Sequence, residues 1–242
     1  MKITRDLEFE NDLVVRMAER EFGGERTGVH CSDLIYSLNK QALRRLMPVP
    51  PTKHEILLWS LGWATQRWLT GKVKDEDAVV VDGITVTLDA LKVEGRGTGP
   101  GSTHWYGGPW ELKASYQSSS RPVEENQAWV KQVMAQCYVK KDLIAHLSRL
   151  EIMGDWGSVY PKGKDKEEKD KYRAEHQKPD LHAFRFEFAQ QELDDNWAWL
   201  KSRRDLFLEL LENRCTKLLP KEMSLPTAQQ YECGYCPNLY RE

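Results

Sequence analysis

The chain has 242 residues, 40% of them hydrophobic and 30% charged, with a formal net charge of -2. That is long enough for one large domain or two small ones with a substantial core, and too apolar for a disordered chain. No apolar run approaches the roughly 18 residues of a membrane span, and the near-neutral balance carries no global signature of a nucleic-acid binder.

The opening stretch "MKITRDLEFEND" has charges where a secretory leader would have its apolar segment, which predicts a cytoplasmic chain with no membrane partner. Five cysteines, an odd number, then point to reduced thiols or metal ligands rather than a disulfide framework. The first two dozen residues read as a polar helix ending at Gly23-Gly24. In "HCSDLIYSLNKQALRRLM" the residues Leu34, Ile35, Leu38, Ala42, Leu43 and Leu46 recur at helical spacing. One helix is expected there, capped by Ser32 or Asp33 and broken by the prolines at 48–51. A second helix is expected from about 53 to 69, closed by Gly71.

The period then changes. Asp82-Gly83 between two β-rich runs predicts a hairpin, with Ile84, Val86 and Leu88 on one face of its second arm and Thr85, Thr87 and Asp89 on the other. Residues 94–108 read as a glycine-rich loop containing Trp105 and Tyr106, aromatic groups on which bases could stack. "PWELKASY" reads as a strand, with Trp110, Leu112 and Ala114 on one face and Glu111 and Lys113 on the other. A long helix over 123–147, strands in "LSRLEIMGDW" and "LHAFRFEFA", a last helix from Gln190 and a tail without periodicity complete the chain. This order predicts an α/β fold, a central mixed β-sheet flanked by helices.

Between Gly28 and Lys74, seven basic residues (Lys40, Arg44, Arg45, Lys53, Arg67, Lys72 and Lys74) face two acidic ones, Asp33 and Glu55. That excess could track a phosphate backbone. The alternating charges of 162–173 read as a solvated loop or frayed helix.

The chemistry-bearing stretch is "GGPWELKASYQ" at 107–117. A carboxylate and an ammonium two apart on a strand can be a surface ion pair, worth about 0–1 kcal/mol. A second copy of the spacing, Glu167-x-Lys169 in the charged run, shows how readily it arises. Asp89 on the polar face of a preceding strand changes the weighing, because sequential strands are usually neighbours. Two carboxylates converging on one point call for a cation, and hard oxygen ligands suit Mg²⁺ or Mn²⁺. Lys113 would then orient or deprotonate the attacking water and stabilise charge on the phosphate. Gln132 and Gln136 share a helical face, and either contact DNA, support Lys113 or are ordinary polar surface. Cys233-x-x-Cys236 is a metal-binding spacing for iron or zinc, while Cys137 reads as core.

With these pieces in order, the chain from about residue 28 onward resembles the RecB-like branch of the PD-(D/E)XK nuclease superfamily. It is most similar to the iron–sulfur exonucleases typified by CRISPR-associated protein four and related phage proteins. The resemblance rests on "HCSDLIYSLNKQALRRL", "LGWATQRWL", "VTLDALKV", "WELKAS", "WVKQVMAQCY" and "ECGYCPNLY". It implies one nuclease domain over 1–242, with basic N-terminal helices (28–75), a nuclease core (76–200), and a C-terminal helix and cysteine tail (201–242) packing on the N-terminal helices. It implies metal held by Asp89, Glu111, the Leu112 backbone carbonyl and, weakly, Gln66, with Lys113 and Gln132 in catalysis. It also implies DNA contacts from Lys40, Arg44, Arg45, Arg67, Trp105, Tyr106 and Gln136. A [4Fe–4S] cluster, or Zn²⁺ in its place, would be held by Cys233 and Cys236 with Cys31 and Cys215. The chain departs from the family in carrying Gln66 where a metal-binding histidine is usual and Gln136 where a tyrosine is usual; Ser37 takes the usual slot of an N-terminal cysteine. The implied activity is metal-dependent exonuclease action on DNA ends or single strands in recombination, repair or phage replication, inside a bacterial, archaeal or phage-infected cell. Recombination or CRISPR-adaptation proteins would be its partners. A structure-selective endonuclease and a non-catalytic DNA-binding protein on a decayed nuclease fold are the alternatives.

Overall fold

The computed structural model describes residues 6–22, 27–70, 78–89, 93–96, 103–106, 108–115, 122–152, 165–176 and 179–224. Four helices lead: α1 (Leu7–Phe22), α2 (Cys31–Ile35), α3 (Leu38–Leu46) and α4 (Lys53–Thr70), with the short strand β1 (Val29–His30) before α2. The single helix expected over Ser32–Leu46 is two. Ser37 breaks it because its extended backbone places its side chain to accept from Lys40 N, capping α3 instead of continuing α2. Asp33 reaches back to the backbone N of His30 at 2.9 Å, so it supports the start of α2 from inside the first turn.

Strands β2 (Ala78–Val81) and β3 (Ile84–Thr87) form the hairpin, and Asp82 and Gly83 take φ of 49° and 73°, the left-handed pair that a tight hairpin turn requires. The turn is tied to the last long helix, α7 (Gln190–Glu212): Trp197 Nε1 donates to Asp82 Oδ2 at 2.9 Å, and Arg204 donates to the Asp82 carbonyl. Residues 94–108 hold a second hairpin, not a loop throughout. Strand β4 (Val93–Arg96) pairs with β5 (Thr103–Tyr106), Glu94 opposite Trp105 and Val93 opposite Tyr106.

β6 (Trp110–Ser115), α5 (Gln127–Lys140) and β7 (Ile144–Glu151) form a parallel crossover unit, and β8 (Asp180–Glu187) adds antiparallel to β7. The helix expected to reach residue 147 stops at 140, because Lys141 adopts φ 56° and turns the chain into β7. At the start of the unit Gly108 has φ 93°, and a Cβ there would lie 2.0 Å from the Ile144 carbonyl oxygen. Only glycine lets the two strands start this close. Residues 166–176 of the charged run form helix α6 (Lys166–His176), and a final turn, α8, spans Lys221–Ser224.

The molecule is α/β, with mixed sheets flanked by helices. In place of one central sheet, the described strands make three: β1-β3-β2, β4-β5 and β6-β7-β8. At β3, β2 runs along one edge and β1 takes Ile84 and Thr85 on the other, and among the described residues no backbone ladder joins β3 to β6. Helix α5 fills the seam. Its Ala128 and Ala135 pack with Leu34, Leu38, Ile84 and Trp197, while Val133 and Cys137 pack with Ala145, Leu147 and Leu193. A helix buried on two sides this way places two of its polar residues, Gln132 and Gln136, between the sheets.

Candidate active site

Asp89 follows β3 and Glu111 lies on β6, on opposite sides of the seam. Asp89 Oδ2 accepts from the backbone N of Leu112 at 2.7 Å, and Oδ1 accepts from Gln66 Nε2 on α4 at 2.6 Å. Glu111 is 2% exposed. Its Oε1 accepts from Lys113 Nζ and from Gln132 Nε2 (2.7 Å), and its Oε2 accepts from Gln136 Nε2. Gln132 closes the triangle, its Oε1 accepting from Lys113 Nζ at 2.9 Å. Strand alternation sends Glu111 and Lys113 to one face, and the i, i+4 spacing of Gln132 and Gln136 brings both amides down onto it. Asp89, Glu111, Lys113, Gln66, Gln132 and Gln136 therefore stand together.

Burial and the neighbouring Glu111 charge push the Asp89 carboxyl up to about 7, against the opposing pull of the Leu112 N–H and Lys113. Burial alone would lower Lys113, but the Glu111 carboxylate overrides it, with help from Tyr36 and Asp89, and keeps the ammonium charged well above its ordinary range. Lys113 is thus a cation and hydrogen-bond donor in this setting, not a base. The Gln136 amide leaves its Oε1 buried without a hydrogen bond among the described residues, a cost of about 1–3 kcal/mol.

Among the described residues no three His, Cys, Asp or Glu side chains are grouped to hold a metal ion. Two carboxylates and a carbonyl or amide oxygen are nevertheless the donor set on which Mg²⁺ or Mn²⁺ relies when waters and phosphate oxygens complete its shell. The rise of the Asp89 carboxyl beside Glu111 marks the excess negative charge such a cation would neutralise. The residues present fit a hard divalent cation at Asp89 and Glu111. Leu112 brings its N–H to Asp89, and Gln66 turns its N–H, not its oxygen, toward the same carboxylate.

Other expected residues are placed differently. Arg45 pairs with the 2%-exposed Asp33 at 2.7 Å and lies over the Phe207 ring, with its side chain 21% exposed. Arg44 approaches Glu55 at 3.9 Å, and Lys40 adds to the field at the same carboxylate. Arg67 is half-buried on α4 beside Gln66. Trp105 and Tyr106 lie on β5, and their side chains fall outside the described residues, as do Cys233 and Cys236.

Cys31 sits beside the carboxylate site: its thiol is pushed up to about 12, first by burial and then by the Glu111 charge, with Lys113 opposing. Cys215 follows the end of α7 with φ 55° and packs against the same core cluster as Cys31. The Cys137 thiol is likewise buried, and burial raises it to about 12. Tyr36, at the end of α2, stands near Lys113 without having been singled out in the sequence; only its place one residue before the Ser37 cap could have drawn attention to it.

Residues before the cysteine tail do return to the N-terminal helices. Asn39 exchanges two bonds with the Leu219 backbone, at 2.9 and 3.0 Å, and Ser37 Oγ meets Ser224 Oγ at 3.1 Å. Arg203, 3% exposed, donates to the carbonyls of Leu34, Tyr36, Met223 and Ser224. The side chains that hold this stretch are polar groups and one guanidinium.

No family model matches the chain, and no curated protein matches it. A solved structure, that of SSO0001, superposes with a TM-score of 0.50 at 12% sequence identity, covering 94% of this chain and 92% of the other. At that identity the likeness concerns the fold alone. No helix among the described residues is long and apolar enough to cross a membrane.

Proposed function

We propose that this chain is a Mg²⁺- or Mn²⁺-dependent deoxyribonuclease with a PD-(D/E)XK-type core, acting as an exonuclease on DNA ends or single strands. The observation that carries the reading is the meeting of Asp89 with the Glu111/Lys113 pair across two sheets, sealed by three glutamine amides. Asp89 and Glu111 would hold the cation, which when bound polarises the scissile phosphate and makes hydroxide available near neutral pH. Lys113, kept charged by Glu111, donates to the phosphoryl oxygens on which negative charge develops. Gln132 fixes the Lys113 ammonium and the Glu111 carboxylate relative to each other. Lys40, Arg44 and Arg67 serve as contacts for the backbone of the DNA, and a cluster or Zn²⁺ at Cys233 and Cys236 belongs to the same proposal.

The test is cleavage of end-labelled single- and double-stranded DNA with and without Mn²⁺. The reading predicts metal-dependent release of label, lost in Asp89→Ala, Glu111→Ala and Lys113→Ala; retention of cleavage in all three would overturn it. Covalently closed circular single-stranded DNA separates an end-dependent enzyme, which leaves it whole, from a structure-selective endonuclease. One observation favours a second reading, a DNA-binding protein without hydrolysis: all four oxygens of Asp89 and Glu111 already accept from protein donors. That reading predicts salt-sensitive DNA binding and no cleavage under any divalent metal.

A further inference from the structure

The two carboxylates of the site are carried by strands that share no backbone ladder, so their spacing is set by side chains. Among the described residues, hydrogen-bond connections cross the seam at two acceptors, Asp89 and Glu111. One is the bond from Leu112 N to Asp89 Oδ2, which depends on the same carboxylate that must turn toward a cation. The other runs through Gln136, whose Nε2 donates both to the Thr87 carbonyl at 3.2 Å and to Glu111 Oε2. Thr87 ends β3, two residues before Asp89, so this amide refers Glu111 to the strand of its partner acid wherever the Asp89 side chain points.

The amide has one usable orientation. Turned over, Gln136 Oε1 would face the Thr87 carbonyl and the Glu111 carboxylate, three oxygens with no proton among them. The observed orientation leaves Oε1 buried and unbonded among the described residues instead. At 0% exposure, solvent cannot substitute for either bond. The other residues on Glu111, Lys113 and Gln132, hold only Oε1 and bond to each other, so neither refers it to β3.

We propose that Gln136 is a positioning residue that sets the separation of the two carboxylates by pinning Glu111 to the end of β3, and that the affinity of the site for a divalent cation depends on its amide donor. The proposal rests on the reading of Asp89 and Glu111 as cation ligands. Gln136 touches neither substrate nor cation; it acts through Glu111.

The experiment is Mn²⁺ binding to the full chain without DNA, followed by the electron paramagnetic resonance signal of free Mn²⁺, beside thermal unfolding in EDTA. The proteins are the parent, Gln136→Met, Gln136→Leu and Asp89→Asn. Met keeps the length and removes the unbonded oxygen with the donor; Leu removes both with a shorter apolar side chain. Both Gln136 variants are expected to bind Mn²⁺ about 10–100-fold more weakly than the parent. Gln136→Met removes the unbonded oxygen but strands the Thr87 carbonyl and Glu111 Oε2, so it is expected to unfold a few degrees below the parent while remaining folded at the temperature of the binding measurement. Parent-like Mn²⁺ affinity in whichever Gln136 variant folds overturns the proposal while the cation reading stands, provided Asp89→Asn has lost binding. Parent-like binding by Asp89→Asn, or none by the parent, overturns the cation reading and the proposal with it.

Discussion

Glu111 and Lys113 on β6, and Arg149 and Glu151 on β7, are two carboxylate–cation pairs with the same two-residue spacing on adjacent parallel strands; Lys113 and Arg149 are register partners. Both carboxylates are buried, at 2% and 4% exposure. Arg149 bonds to Glu151 at 2.8 Å and lies over the Phe184 ring, and His182 Nε2 stands 3.9 Å from the other Glu151 oxygen. Glu111, by contrast, receives two amides from α5 and has a second acid approaching from another sheet. A buried pair of opposite charges is by itself a structural element. It becomes a candidate for chemistry when a like charge is forced beside it and the surplus is left for something else to neutralise.

Removing the surplus acid should have the largest effect. Asp89→Asn or Glu111→Gln is expected to lower Mn²⁺-dependent DNA cleavage by about a thousand-fold, whereas the double change Arg149→Met with Glu151→Leu leaves cleavage per folded molecule close to the parent. Equal losses from both pairs would erase the distinction drawn here. The β7 pair should show itself in stability instead. Either Arg149→Met or Glu151→Leu alone strands a buried charge and is expected to cost about 3–5 kcal/mol in chemical denaturation, far more than the two together.

Gly108→Ala should disturb both pairs at once, because a Cβ against the Ile144 carbonyl forces apart the strands that carry them. A loss of about 3 kcal/mol, together with weakened Mn²⁺ binding, is expected. The subtlest difference is in pH dependence. With the Asp89 carboxyl raised from 3.8 to about 7, the native metal-free protein binds more protons than the unfolded chain across that window. Its stability should therefore fall as pH rises through it and level off above. Denaturation midpoints measured in EDTA should show this fall in the parent and lose it in Asp89→Asn.

Local structure was legible where periodicity and turn chemistry decide it. The Asp82-Gly83 hairpin, the alternation that puts Glu111 and Lys113 on one face, and the long helices follow from short-range rules. Those rules failed where a residue does something unusual for its type: Ser37 caps in mid-run, and Lys141 takes a left-handed φ usually left to glycine or asparagine. The glycine-rich composition hid β4 and β5 because glycine lowers the strand signal of its neighbours. Arg45 was legible as a cation, but not as the partner of a buried Asp33.

The sequence by itself determined which side chains share a face of each strand or helix, since that depends on repeats of 2.0 and 3.6 residues, and it supplied Asp89, Glu111 and Lys113 as the two carboxylates and the ammonium to watch. Tertiary structure alone decided that β3 and β6 would belong to different sheets, and that a helix buried on both sides would lower Gln132 and Gln136 into the gap between them. What covers a polar face is set by packing summed over residues far apart in the chain. For that reason the same glutamine that reads in the sequence as a DNA contact, a support for Lys113 or plain surface stands in the structure at 0% exposure with one amide proton on each side of the seam.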